Sequence, residues 1–194
     1  MSLGIYIYAQ ILVAILSIIN LIKLSTDYKK EKEFIILFLI GFFIINVIMA
    51  IIQFLILFYN LETFYFWILS GRTLMRTILI LMISYLFTVS LYILDFKKLY
   101  FIPVLGAIIL IVISIFFIQI FEQISMYILI AFVIPTIILF FYAFSKKRDG
   151  VSLSFAIFLI IESIMGPLQI YAQDFSGILH IVGNVIVFLG VLGI

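Results

Sequence analysis

Four pairs of polar residues sit inside runs of Ile, Leu and Phe, at spacings that place each pair on one helical face. Arg72 and Arg76 stand at i and i+4, as do His180 and Asn184, and residues so spaced are neighbours on a helix surface. Asn46 and Gln53 stand at i and i+7, two turns along one face, and Glu162 and Gln169 repeat that arrangement. A guanidinium pair, a carboxylate, an imidazole and several amides can bind an anion or a polar solute, or they can hydrogen-bond helices to one another. Ionisable groups in hydrocarbon are costly unless paired or wetted, so each is a candidate for function. Two arginines facing one carboxylate leave a positive excess, which favours a water-accessible cavity for a small polar or anionic ligand. The plainer alternative is that Glu162 neutralises one arginine and the amides tie helices together. Catalysis is not expected. Ser84, Ser90 and Ser163 have no His–carboxylate set nearby, and Glu162 has no second membrane carboxylate to work with. Cys is absent and His occurs once, so thiolate and multi-histidine metal sites cannot be built and no cofactor is expected.

The elements that must position these groups follow from composition. Of 194 residues, 68% are hydrophobic and 10% charged, which leaves nothing to build the polar surface of a soluble domain. The chain reads as an all-α integral membrane protein, a single domain spanning 1–194. Seven stretches are long enough to cross a hydrocarbon core, which takes about 20 apolar residues in a helix: Gly4–Leu24, Phe34–Tyr59, Phe64–Leu94, Leu99–Phe121, Met126–Phe144, Val151–Ala172 and Gly177–Ile194. No basic segment precedes the first and no small-residue cleavage site follows it, so it reads as a span and not a signal peptide. The third is too long for one perpendicular helix. It either tilts or begins at the interface, where Tyr65 and Trp67 would be at home.

Lys and Arg gather in the connections after the first, third and fifth stretches, whereas those after the second, fourth and sixth hold only Glu62, Glu122 and Asp174. Positive residues favour the cytoplasm, so the N-terminus is expected outside and the C-terminus inside, in the cell membrane. In that orientation Glu162 lies roughly 18 Å from the inner boundary, near the midplane, with Arg76 at similar depth. An Arg76–Glu162 contact is therefore expected. His180, Asn184, Gln10, Gln53 and Gln169 fall in the outer half. A net charge of +2 in short basic clusters orients a membrane protein and makes no nucleic-acid surface. The partners expected are the bilayer, a small ligand, and a second copy or another membrane subunit.

The segment from Glu162 to Gln169 has an earlier counterpart in Asn46 to Gln53. At one constant offset, Ile48-Met49 falls on Ile164-Met165, Gln53 on Gln169, and Lys30, Lys32 and Glu33 on Lys146, Arg148 and Asp149. These matches predict a parallel three-helix repeat, 1–94 and 123–194, with a linker helix within 95–122. Parallel repeats place a site at the interface of the halves. Pro135 and Pro167 interrupt backbone hydrogen bonding within their helices, and Gly71, Gly166, Gly183 and Gly190 are expected at close helix contacts.

A three-plus-one-plus-three layout resembles the SWEET and PQ-loop transporters of sugars and amino acids. The likeness rests on Pro135, the turn Lys146-Lys147-Arg148-Asp149-Gly150, the Ser152-Leu153-Ser154-Phe155 restart and Asn184; it implies that Asn184 faces the substrate. Thr136 stands where that family has Gln after the proline, and the first half has no matching proline. The layout is also similar to microbial rhodopsins and the seven-helix sensor modules of prokaryotes. No Lys lies in the last stretch, so a retinal Schiff base is excluded. Three functions follow: a receptor-like ligand-binding protein, a facilitative transporter, or a structural subunit. A dead-ended cavity favours the first, a cavity between matching halves the second, and a core without a cavity the third.

Overall fold

A computed structural model describes residues 4–58, 65–66, 69–171 and 173–193, with the side chains of 4, 31, 57–58, 65–66, 69–72, 166–171 and 173–174 outside the description. Seven helices make up the fold: α1 (Gly4–Glu31), α2 (Phe34–Phe58), α3 (Gly71–Ile93), α4 (Phe101–Phe116), α5 (Ile118–Lys147), α6 (Gly150–Tyr171) and α7 (Gln173–Leu192). Six of them are long and apolar enough to cross a membrane, and α6 contributes a further apolar segment, Gly150–Met165. Isoleucine, leucine and tyrosine side chains such as Ile109, Ile138 and Tyr127 are more than half exposed, as lipid-facing positions must be. The chain is a polytopic membrane protein.

The helix bounds depart from the sequence expectation in three places. Ser25–Glu31 continues α1, since that stretch holds Lys, Asp and Glu but no Gly or Pro to end a helix. The turn comes at Lys32, whose φ of 52° is left-handed. The third apolar run is no single helix: Tyr65–Phe66 (β1) pairs antiparallel with Leu69–Ser70 (β2) before α3 begins, and Trp67 lies outside the described residues. Between α4 and α5 the break falls at Phe117 (φ −135°, ψ 55°). Glu122 is thus inside α5, where its carboxylate accepts a hydrogen bond from Thr73 Oγ1 of α3 at 3.3 Å.

Helix neighbours define a ring. α1 packs on α2 and α7, α2 on α3, α3 on α5, α5 on α6, and α6 on α7; α4 lies outside this ring against α3 and α5. Only Pro103, Ala107, Leu110 and Ser114 of α4 are buried, a narrow stripe of i, i+3 and i+4 positions. One end of the ring carries Lys29, Lys30, Lys97, Lys98, Lys146 and Lys147 and is here called the basic end. There Lys23 Nζ donates to Val191 O at 2.8 Å, covering a carbonyl that the end of α7 leaves without a helical partner. Asp149 caps α6 through Oδ1, which accepts from the Ser152 N–H at 2.7 Å.

Inside lipid there is little hydrophobic drive between helices, so close packing and interhelical hydrogen bonds hold the ring. Next to the basic end the core is aromatic. Phe42 meets Phe155 edge-on at 4.8 Å and Phe158 at 5.8 Å, and Phe140 stacks on Phe155 at 5.4 Å. At Gly190 the α6–α7 crossing is so close that a Cβ would strike the Ser154 side chain and lie 3.1 Å from Gly150 O.

Candidate functional site

The half of the ring away from the basic end is hollow. A cavity of about 480 Å³ lies among α1, α2, α3, α5, α6 and α7, within the usual size of small-molecule sites. Helix periodicity explains how the chain builds it. On α5, Met126, Leu129, Ile130, Val133, Ile134 and Ile137 face it at i, i+3, i+4 and i+7 positions; on α3, Met75, Arg76, Leu79, Met82 and Ile83 do the same. Asn46, Met49, Ala50 and Gln53 come from α2, and Phe158, Leu159, Glu162, Ser163 and Met165 from α6. Gln10 of α1 and His180 of α7 complete the wall.

The wall is mostly apolar, which corrects the expectation of a polar cavity. Every methionine of the chain except Met1 lines it. Their flexible, polarisable side chains suit a surface that moulds itself to an apolar guest. Polar groups form a minority cluster. Arg76 and Glu162 supply one charge of each sign, and the Arg72 side chain is outside the description.

That cluster is wired differently from the sequence expectation. Glu162 Oε1 lies 2.6 Å from His180 Nδ1, while among the described residues no carboxylate is within ion-pair distance of Arg76. α6 ends at Tyr171 and α7 starts at Gln173, so the two helices pack side by side from a short connection, and Glu162 and His180 meet across them. From His180 the network runs on through the helix. Asn184 Nδ2 donates to His180 O at 2.9 Å, and Asn184 Oδ1 accepts from Asn46 Nδ2 at 2.7 Å. Asn46 Nδ2 also donates to Ser17 Oγ of α1 at 3.0 Å. Four helices are thereby linked through side chains that are almost wholly buried. Gly183 permits this approach: a Cβ there would sit 3.3 Å from the Phe158 ring.

Of the sequence-nominated residues, Asn46, Gln53, Arg76, Glu162 and His180 therefore meet at one cavity, and Asn184 stands behind its wall as a hydrogen-bond partner. The side chains of Arg72 and Gln169 lie outside the described residues. Gln10 is the additional member. It is 1% exposed, lines the cavity, and neither its Oε1 nor its Nε2 has a partner; Gln53 Oε1 is likewise buried and unpartnered. Buried amides are normally satisfied; these atoms are closed off from the open space of the cavity, as are those of Asn20, which lies away from it. Depth along α1 was the only signal for Gln10 in the sequence.

The cavity ends toward the basic end on the aromatic core. Met82, Phe158 and Leu159 belong to both, and beneath them Phe42, Phe140, Phe155 and Leu86 are at most 1% exposed. Compared with protein-family models, curated proteins and solved structures, the chain matches none.

Proposed function

We propose that this chain is a receptor-like, multi-pass protein of the cell membrane that binds a small molecule in the cavity between its helices. Its role is binding and not catalysis. The observation that carries this reading is the dead end: a cavity with Arg76, Glu162 and His180 in its wall and a sealed aromatic floor beneath it. A conduit would need Phe42, Phe140, Phe155 and Phe158 to separate, and their packing at ring distances near 5 Å opposes that. A structural subunit would have no reason to enclose a void of about 480 Å³.

The orientation follows from the basic clusters, which retain negatively charged or charge-poor connections at the opposite end. The N-terminus and the cavity then face outside, and the C-terminus faces the cytoplasm. His180 and Glu162 make the α6–α7 hairpin the element that a bound guest would bias.

A facilitative transporter is the second reading, and the helix order favours it. Exchanging helices 1–3 for 5–7 maps each neighbouring pair of the ring onto another neighbouring pair and leaves α4 outside, as a three-helix repeat with a linker helix requires. Asn46 and Glu162, the equivalent positions of that repeat, both line the cavity. Purified chain in liposomes separates the two. Receptor-like binding predicts saturable thermal stabilisation by a cavity ligand without saturable uptake of sugars, amino acids or that ligand. Saturable uptake would replace the receptor reading with transport.

A further inference from the structure

The cavity wall is not continuous toward the lipid. Of the residues that line it, Met126, Ile130 and Ile134 of α5 are 57%, 49% and 53% exposed, and Ser163 of α6 is also exposed. The α3 residues on the same wall, Met75, Arg76, Leu79, Met82 and Ile83, are buried or only half-buried. The three exposed α5 residues recur every fourth position, one stripe along the helix. That stripe lies away from the face carrying Phe121, Leu129 and Phe132, which packs on α3 and α4, and so it borders α6. Nearer the basic end α5 and α6 touch through Phe140 and Phe155. Toward the other end the exposed stripe of α5 carries the cavity wall out to the level of hydrocarbon.

A guest entering there comes from the membrane. It meets isoleucine and methionine walls first and reaches Arg76 of α3 within the cavity. Glu162 is the carboxylate facing the same space, and His180 holds it at 2.6 Å. Arg76 has no such counter-charge among the described residues.

We infer that the cavity takes a single-chain amphiphile with an acidic head group, admitted from the bilayer between α5 and α6. The chain lies against the methionines, and the head group accepts hydrogen bonds from the Arg76 guanidinium. This rests on the ligand-binding reading proposed above and narrows it to a ligand class and a route.

The test uses the full chain in phosphatidylcholine vesicles with a diazirine-bearing hexadecanoic acid as probe. Photolysis should give saturable labelling that maps to α5 around Met126–Ile134 and to α3 around Met75–Ile83. Dodecanoate should compete for it at about one tenth the concentration of dodecanol, the scale of one charge-assisted hydrogen bond. Arg76→Gln should erase that preference for the acid, and Arg76→Lys should keep most of it. Ile130→Trp, which fills the opening from the lipid side, should slow labelling without changing the fold as judged by helix content and elution volume. Labelling that does not saturate, or that spreads evenly over lipid-facing positions such as Tyr127, Ile138 and Ile109, would overturn the inference. Equal competition by dodecanol and dodecanoate against the unmutated protein would overturn the acidic head group. Saturable stabilisation by a water-soluble sugar or amino acid, with none by dodecanoate, would refute the amphiphile while leaving ligand binding intact.

Discussion

Replacing Asn46 by leucine keeps the number and branching of side-chain heavy atoms and removes the donor that joins α2 to α1 and α7. Asn46 is 3% exposed and gives two hydrogen bonds, to Ser17 Oγ at 3.0 Å and to Asn184 Oδ1 at 2.7 Å. Hydrogen bonds between membrane helices average about 0.6 kcal/mol and reach about 1.7 kcal/mol. Losing two therefore costs about 1–3 kcal/mol, or roughly 5- to 150-fold in the folding equilibrium. The Asn184 bond can be isolated with a double-mutant cycle, pairing Asn46→Leu with Asn184→Leu in a reversible detergent–SDS unfolding titration. The coupling energy should fall between about 0.6 and 1.7 kcal/mol. Strict additivity within about 0.3 kcal/mol would mean that the two amides do not interact, and the four-helix network would lose its central link.

Three further outcomes are expected. Glu162→Leu leaves the buried His180 Nδ1 without its partner and should destabilise by about 1–3 kcal/mol in the same titration, with Glu162→Gln costing less than half as much; equal losses would contradict a hydrogen bond at that position. Gly190→Ala drives a methyl into Ser154 and should cost about 1–3 kcal/mol by overpacking, a loss that Ser154→Gly in the same chain should partly restore. Because the chain has no cysteine, single cysteines report its orientation: those at Lys30 and Lys147 should resist a membrane-impermeant maleimide in whole cells, while Asn60→Cys should label.

The count of helices was legible because apolar runs and basic turns both announce themselves in the sequence. Their ends were not always so. The α4–α5 break at Phe117 carries no Gly, Pro or charge, and the expected boundary lies at the nearest charged residue, Glu122, with Gln123, both of which α5 absorbs. The strands at Tyr65–Phe66 and Leu69–Ser70 hid at the start of a run that is aromatic and apolar from Phe64 to Leu69 and has no Gly before Gly71. For the site, depth along each helix puts Arg76 and Glu162 near the midplane and Gln53 and His180 in the outer half, and the structure places all four on one cavity with Asn46. Depth does not fix azimuth. Levels alone pair Glu162 with Arg76, whereas α6 and α7 pack side by side from one short connection, and that packing brings His180 to Glu162. The methionine lining was invisible for another reason. Met49, Met75, Met82, Met126 and Met165 belong to four helices, and only the packed ring gathers them.

A chemical probe can read the open half and the sealed floor on one helix. Leu79 of α3 lines the cavity and is half-buried, while Leu86, two turns nearer the basic end, is 0% exposed within the aromatic core. With Leu79→Cys and Leu86→Cys in lipid vesicles, a small neutral maleimide should modify the first at least about tenfold faster than the second, since a fully buried thiol reacts only through local opening. Prior addition of a cavity ligand should protect Leu79→Cys alone. Fast modification of Leu86→Cys would mean that the floor opens, and an inert Leu79→Cys would mean that there is no accessible cavity for a ligand to fill.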